Sequence, residues 1–184
     1  DLGLENLSGI PGTVGATQVQ NVGAYGREVA DLISWVAAYD TKEENIVVFK
    51  NTDCNFSYRN SIFKEDRSKR YIITQVCFLL SKTFTPELGY RDLAAFFKQK
   101  KNVTLQDVRN AVLTIRSKKF PDMNTTGTAG SFFKNPILSK KTFRKLQKKF
   151  PEVPSYELSD GTIKIPLAWI LDHVCDVKKI KTDH

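Results

Sequence analysis

Glycine is concentrated in one part of this sequence, since six of the ten glycines lie within residues 3–26. Glycine permits positive φ angles and lets the backbone approach a ligand or another segment closely. The segment does not have the composition of a flexible linker, because the apolar residues Ile10, Val14, Val19 and Val22 are interleaved with the glycines. We therefore predict an ordered loop region over these residues.

The centre of this region, residues 9–15, has the sequence Gly-Ile-Pro-Gly-Thr-Val-Gly. Backbone N–H groups in such a run can form a concavity that holds an anion or faces a flavin ring. The run is neither GxGxxG nor a Walker A motif, because no Lys-Ser or Lys-Thr pair follows it. A tight structural turn is the alternative interpretation of the same residues.

Strands are predicted after the glycine-rich segment. Residues 32–39 and 46–49 are rich in β-branched and aromatic side chains, and the polar turn between them predicts a hairpin. A longer strand is predicted over residues 69–81, centred on residues 71–78. Helices are expected over residues 90–97, from Thr104, after Ser139 and after Pro166. This mixture of strands and helices indicates an α+β fold.

The helix that begins after Thr104 has the strongest local signal. Thr104 and Asp107 match a capping box, in which each side chain accepts a hydrogen bond from the other residue's backbone N–H. Apolar residues then recur at the spacing of one helix face, at Val108, Ala111, Val112 and Ile115. A connection rich in Pro, Gly and Thr follows within residues 118–128, and it predicts a domain boundary.

Charge and composition limit the function classes. The net charge is +8 and the pI is near 9.4, which favours anionic ligands without choosing among them. Three widely spaced cysteines and two histidines predict neither a disulfide framework nor a Cys/His metal site. The longest apolar run, near residues 76–80, is too short to span a bilayer, and no signal peptide is recognisable. We therefore expect a soluble, cytoplasmic protein.

Two further segments carry candidate chemistry. Arg59 follows Tyr58 among apolar residues, so its guanidinium is a candidate clamp for a carboxylate, with an ordinary surface arginine as the alternative. Ser131 follows Gly130 and precedes two phenylalanines, which makes its hydroxyl a candidate proton donor. A structural serine at the start of a strand is the alternative. No GxSxG nucleophile elbow surrounds Ser131.

Six cationic residues lie within residues 140–149, on one predicted helix. Such a helix face can bind the phosphates of a nucleic acid, and a solvated face is the alternative. No aromatic RNA-binding motif, zinc finger or helix-turn-helix supports the first interpretation. A basic nucleic-acid-binding module and a catalytically inactive interaction domain are the alternative functions.

Four segments, in this order, resemble the family of UDP-N-acetylenolpyruvoylglucosamine reductases. Residues 3–15 and 20–26, which include Gln-Asn-Val-Gly-Ala-Tyr-Gly, resemble the family's flavin-binding stretch. Residues 58–64, Tyr-Arg-Asn-Ser-Ile-Phe-Lys, are similar to its catalytic arginine region. Residues 119–122 and 130–136 (Gly-Ser-Phe-Phe-Lys-Asn-Pro) are similar to its catalytic serine region. Residues 164–171 are similar to the segment that follows that region.

The resemblance implies an oxidoreductase of peptidoglycan synthesis that uses NADPH and FAD to reduce UDP-N-acetylglucosamine enolpyruvate to UDP-N-acetylmuramate. It implies that Arg59 stabilises the enolate that develops after hydride transfer, and that Ser131 protonates C2. It implies FAD contacts from Gly9, Ile10, Pro11, Gly12, Thr13, Gly15, Gly23, Tyr25 and Gly26. It implies substrate contacts from Tyr58, Tyr90, Lys119, Asn135 and Tyr156. No metal ion is expected.

The implied fold is α+β, with a partial FAD-binding lobe of the PCMH type and an inserted substrate-loop region over residues 1–118. Residues 119–184 would then form part of the substrate-binding C-terminal domain. The family has a flavin-binding segment before residue 3 and a glutamate after the last helix, and neither has a counterpart in this sequence. We therefore expect the parent protein to be the enzyme and this chain alone to be inactive. Self-association through surface that the first lobe would cover is expected, but binding to nucleic acid or membrane is not.

Overall fold

A computed structural model of the chain describes residues 3–65, 69–122, 124–127, 133–158 and 160–176. The chain forms two compact units, residues 1–127 and 128–184. The resemblance implies an FAD-binding lobe and a substrate-binding domain. Because these are defined by what they bind, they remain a prediction. Helices and strands occur in both units, as the α+β pattern predicts.

The glycine-rich segment is ordered, as predicted from its interleaved apolar residues. It contains a 3-10 turn at Glu5–Leu7 and helix α1 (Val14–Thr17), followed by two short paired strands, β1 (Gly23–Ala24) and β2 (Arg27–Glu28). The connection between β1 and β2 is tight because Tyr25 and Gly26 both have positive φ angles, of 49° and 86°. Glycine adopts this conformation without a steric penalty, whereas tyrosine does so less readily.

The larger sheet of the first unit confirms the predicted hairpin. Strand β3 (Ile33–Asp40) lies between β4 (Asn45–Lys50) and β5 (Tyr71–Phe78), and both pairings are antiparallel. One sheet face packs Val36, Phe49 and other apolar residues around the buried Cys54. On β4 and β5, Ile46, Val48 and Ile72 are each more than half exposed.

The second core of this unit lies between two of the helices that follow in the sequence. These are α2 (Ile62–Glu65), α3 (Arg91–Phe96) and α4 (Leu105–Lys119), and the core lies between α3 and α4. The Thr104 hydroxyl accepts a hydrogen bond from the backbone N–H of Asp107 at 3.2 Å, and the Asp107 carboxylate accepts one from Thr104 N–H at 2.8 Å, so the predicted capping box is confirmed. The predicted apolar face of α4 packs against α3 and Tyr25, through Leu93, Phe97, Val108, Ala111 and Val112.

The described residues of the second unit form a small antiparallel sheet and two helices. Its elements are β6 (Ile137–Leu138), α5 (Lys140–Lys149), β7 (Tyr156–Glu157), β8 (Ile163–Lys164) and α6 (Leu167–His173), with strand order β6-β8-β7. Ser139 caps α5 by accepting a hydrogen bond from Thr142 N–H at 3.2 Å, as predicted. Phe143 is buried in the core of this unit, while all six basic residues of α5 are exposed.

An ion pair with a buried carboxylate joins the end of β3 to the segment before β5. Asp40 is only 2% exposed, and its carboxylate accepts hydrogen bonds from the Arg70 guanidinium, with an Nε–Oδ1 distance of 2.6 Å. The backbone N–H groups of Lys42 and Glu43 also donate to Oδ1. The bonds from Arg70 are the largest cause that lowers the pKa of Asp40 from 3.8 to about 2, and the backbone bonds add to it.

The ion pair gives the first unit a testable dependence on acid. Because the pKa of Asp40 is depressed in the folded state, its stabilising contribution is complete above the ordinary pKa of 3.8 and is lost as the pH falls toward about 2. We expect Asp40→Asn to lower the unfolding free energy at pH 6, and the difference from the unmutated chain to shrink between pH 4 and pH 2. Denaturant unfolding followed by Trp35 fluorescence, in a Trp169→Phe background, measures this in the first unit.

The exposed Glu152 supplies a matched control, since Glu152→Gln removes one carboxylate from the second unit. We expect that change to leave the Trp35 transition unaltered throughout the pH range. A constant difference between Asp40→Asn and the unmutated chain from pH 6 to pH 2 would contradict a stabilising role for the ionised carboxylate.

Candidate functional site

A cavity of about 300 Å³ lies against the glycine-rich segment. Four of the predicted flavin residues line it, namely Ile10, Pro11, Gly12 and Thr13. Much of the remaining wall is apolar and comes from Leu4, Leu7, Val14, Val22, Val29 and Phe78. Gly12 has φ 128°, and no atom lies within 4 Å of the position that a Cβ would occupy. The segment therefore forms a hollow with an apolar wall and an exposed glycine backbone.

The other predicted flavin residues do not line this cavity. Gly9 lies against α4, where a Cβ would be 2.8 Å from a methyl carbon of Leu113. The Gly15 carbonyl accepts a hydrogen bond from the Gln18 side chain at 2.9 Å. Gly23, Tyr25 and Gly26 form the hairpin of β1 and β2. At Gly9 the absence of a side chain permits close helix packing, which is a structural requirement separate from ligand binding.

The structure brings Arg59 to the glycine-rich segment. Its guanidinium donates to the backbone carbonyls of Asn21, at 3.2 Å, and Gly23, which are 38 and 36 residues away in sequence. These two residues flank Val22, which lines the cavity. The guanidinium carbon also lies 5.1 Å from the ring centroid of Tyr58. The candidate arginine and the candidate flavin segment are therefore neighbours in space.

A second group of predicted residues meets where α3 begins and α4 ends. The rings of Tyr25 and Tyr90 make an edge-to-face contact, with centroids 5.2 Å apart. The Lys119 ammonium pairs with the Asp92 carboxylate, and this hydrogen bond is the largest cause that raises the pKa of Lys119. Nearby Tyr90 and Tyr25 raise that pKa further. The same pair lowers the pKa of Asp92, so both side chains are held in their charged forms.

In the second unit, the two described candidates have different surroundings. The Asn135 side-chain oxygen accepts a hydrogen bond from Leu167 N–H at 3.0 Å, which satisfies a backbone donor at the start of α6. Tyr156 is 54% exposed, and the Lys164 ammonium lies 5.9 Å from its ring centroid. Ser131 and Gly130 lie outside the described residues, so the predicted proton donor has no structural account.

Several polar residues near these groups, two of them buried, were not predicted from the sequence. Asn21 is 1% exposed and Asn6 is fully buried, and both bridge distant segments through their side-chain amides. Glu28 lies beside Arg59, and Asp92 holds Lys119. One signal was available for Asn21, because asparagine adopts positive φ more readily than most residues and occurs here among glycines.

The described part of the chain contains neither a metal-binding cluster of side chains nor a helix that could span a membrane. No group of three or more His, Cys, Asp or Glu side chains there is arranged to hold a metal ion. Among the same residues, no helix has the length and apolarity needed to cross a bilayer.

The fold is similar to that of a solved reductase. A crystal structure of UDP-N-acetylenolpyruvylglucosamine reductase from Thermus caldophilus superimposes with a TM-score of 0.51, covering 97% of this chain and 61% of that one. The two sequences are 21% identical, so this similarity establishes the fold alone. The mixed α and β architecture is therefore one that occurs in this class of oxidoreductase. No family model matches the chain.

Curated relatives make the similarity specific. UDP-N-acetylenolpyruvoylglucosamine reductase from Neisseria gonorrhoeae is 45% identical over 179 residues, which cover 96% of this chain and 51% of the relative. The protein of the same name from Flavobacterium johnsoniae is 45% identical over 174 residues, covering 92% and 51%. The chain thus spans about half the length of these relatives. The resemblance to this reductase family is confirmed over that half.

Proposed function

We propose that this chain is part of a flavoenzyme that reduces UDP-N-acetylglucosamine enolpyruvate to UDP-N-acetylmuramate with NADPH and FAD, in peptidoglycan synthesis. The observation that carries the proposal is the 45% identity to named reductases over 96% of the chain. The contact of Arg59 with the glycine-rich segment supports it, since a cation beside the flavin can stabilise the negative charge that hydride transfer creates. The enzyme would act in the cytoplasm.

The glycine-rich cavity fits part of FAD. Its apolar wall and its volume of about 300 Å³ suit a ring system, and Gly12 leaves the backbone open to a close approach. Ile10, Pro11, Gly12 and Thr13 would contact the cofactor directly. Gly9, Gly15, Gly23, Tyr25 and Gly26 would shape the surrounding backbone, and Tyr25 would also connect this region to Tyr90. Bound FAD would supply the hydride that NADPH provides.

Arg59 would supply the electrostatic part of catalysis. Addition of a hydride at C3 of the enolpyruvyl group leaves negative charge on C2 and the carboxylate, and a proton at C2 completes the reduction. A guanidinium that is already held in place stabilises such charge without reorganising. Arg59 has five N–H donors, of which two bind backbone oxygens among the described residues. Glu28 Oε1 also lies 3.9 Å from Nη1, and the other N–H groups would meet the substrate carboxylate.

The remaining candidates would bind substrate or complete the proton transfer. Lys119 keeps its positive charge beside Asp92, which suits contact with the diphosphate or carboxylate. Tyr58, Tyr90, Asn135 and Tyr156 would contact other parts of the sugar nucleotide. Ser131 would donate the proton to C2. We assign residues 1–118 to a partial FAD-binding lobe and residues 119–184 to part of the substrate-binding domain.

The first experiment tests the reaction itself. The protein that contains this chain is purified, its visible spectrum is recorded, and NADPH oxidation is followed with and without UDP-N-acetylglucosamine enolpyruvate. We expect bound flavin and oxidation of NADPH that depends on the enolpyruvyl substrate. Absence of both signals would refute the proposed function.

A variant of Ser131 tests the proton-donor assignment separately. In Ser131→Ala, we expect flavin reduction by NADPH to be largely retained and the reaction of reduced flavin with substrate to slow by about 10²- to 10⁴-fold. Stopped-flow absorbance of the flavin measures each half-reaction. Equal losses in the two half-reactions would contradict the assignment.

A further inference from the structure

We propose that Asn21 and Glu28 are positioning residues for Arg59, an inference that rests on the proposed function. Asn21 lies between α1 and β1 and is 1% exposed. Glu28 belongs to β2 and lies 3.9 Å from the Arg59 guanidinium. Neither residue is among those that the resemblance assigns to cofactor or substrate.

The amide of Asn21 joins three segments of the first unit. Its Nδ2 donates to Glu28 Oε2 at 2.7 Å and to the backbone carbonyl of Ser57 at 3.1 Å. Its Oδ1 accepts from Ala30 N–H at 3.1 Å. Reversing the amide would turn its oxygen toward a carbonyl and a carboxylate, so the three partners also fix its orientation. The buried side chain of Asn21 thus fixes the position of β2 relative to the turn that contains Arg59.

That turn holds Arg59 in an uncommon conformation. Ser57 and Asn60 exchange two backbone hydrogen bonds, at 3.1 and 3.0 Å, and Arg59 between them has φ 56°. A positive φ is disfavoured for a long side chain and persists only where the surroundings enforce it. Asn21 contributes to those surroundings, because its amide bonds the carbonyl of Ser57 at one end of the turn.

The same network orients the guanidinium. Arg59 donates hydrogen bonds to the backbone carbonyls of Asn21 and Gly23. The Glu28 carboxylate lies between the two side chains, with Oε1 near Nη1 of Arg59 and Oε2 accepting a hydrogen bond from the Asn21 amide. Gly23 leaves the necessary room, since a Cβ there would lie 2.9 Å from Nη1. Asn21 therefore acts on Arg59 twice, through its own carbonyl and through the carboxylate that its side chain holds.

The test uses two asparagines with nearly the same backbone conformation. Asn21 has φ 46° and Asn55, which is exposed, has φ 47°, so glycine replaces either without backbone strain. In the protein that contains this chain, we expect Asn21→Gly to slow reduction of the enolpyruvyl substrate by about 10- to 100-fold, because misplacement of a catalytic group by about 1 Å has that effect. Flavin reduction by NADPH should stay within about twofold, and Asn55→Gly should change neither rate.

A double-mutant cycle shows whether Asn21 acts through Arg59. If it does, Asn21→Gly should add little to the loss caused by Arg59→Lys, whereas independent effects would multiply. Multiplying losses, or an unchanged substrate rate in Asn21→Gly, would overturn the inference while leaving the proposed function intact. If Asn21→Gly fails to fold, Glu28→Gln decides the matter in the same cycle, since it keeps an oxygen for the Asn21 amide but removes the charge beside Arg59.

A measurement without substrate separates this inference from the proposed function. The guanidinium ¹⁵N–¹H signals of Arg59 should report restricted rotation in the unmutated chain and in Asn55→Gly, and averaging in Asn21→Gly. If the unmutated protein lacked reductase activity but showed this difference, the proposed reaction would fail while the positioning of Arg59 held. Equal signals in all three proteins would refute the positioning.

Discussion

Arg59→Lys is expected to slow reduction of the enolpyruvyl substrate by about 10²- to 10³-fold, the range seen when one preorganised donor to a developing anion is lost. Lysine keeps the positive charge, but its single ammonium is a point charge and lacks the planar fork of a guanidinium. It cannot bind the carbonyls of Asn21 and Gly23 and also meet a carboxylate through two parallel bonds. The charge would remain near the site while its position was lost.

The effect of Arg59→Lys is best measured on the two half-reactions separately, namely reduction of flavin by NADPH and reduction of the substrate by flavin. Reduction of flavin by NADPH requires no enolate, so its rate should stay within about twofold in Arg59→Lys. Arg116→Lys is the matched control, because Arg116 lies on α4 with its guanidinium carbon 5.1 Å from the ring centroid of Phe120. We expect that variant to retain both rates. A loss in Arg59→Lys that is equal in the two half-reactions would place Arg59 in cofactor binding instead.

The elements that sequence could predict are those specified by neighbouring residues. The hairpin of β3 and β4 follows from two runs of β-branched and aromatic residues with a polar turn between them. The start of α4 follows from Thr104 and Asp107, three residues apart. Each of these signals acts within a few residues, and the surrounding fold did not override it.

The contacts that build the candidate site could not be predicted in this way. Asn6 donates to the carbonyls of Tyr25 and Glu87, and the second of these partners is 81 residues away. Lys119 and Asp92 are separated by 27 residues. Nothing local distinguishes these side chains from solvated ones, because their partners are brought close only by the packing of α3 against α4 and the hairpin of β1 and β2.

The glycine-rich run shows a second reason why the site could not be fully predicted from the sequence. From sequence, Gly9 and Gly12 are equivalent members of one run, and the resemblance assigns both to the cofactor. In the structure, Gly12 faces open space beside the cavity, whereas Gly9 lies against Leu113 of α4. A residue without a side chain permits close approach, but its identity does not specify whether a ligand or another part of the chain approaches.

Leu93→Ala is expected to lower the unfolding free energy of the first unit by about 2–5 kcal/mol, the range for removal of a fully buried leucine side chain. Leu93 is completely buried and belongs to the cluster that packs α3 and α4 around Tyr25. Deleting its side chain leaves a cavity among helices that have few ways to close it. The exposed Leu79 is the control, and Leu79→Ala should change stability by less than about 0.5 kcal/mol.

The same substitution tests whether this core supports the Tyr90 and Lys119 group. Amide hydrogen exchange at the end of α4 and around Tyr90 should accelerate in Leu93→Ala together with exchange in the rest of the cluster. Tyr90 directly precedes α3, and Leu93 packs α3 against α4. In the Trp169→Phe background, Trp35 fluorescence should report the loss of stability in denaturant. A loss below about 1 kcal/mol, with unchanged exchange near Tyr90, would mean that α3 and α4 hold the Asp92–Lys119 pair without the Leu93 core.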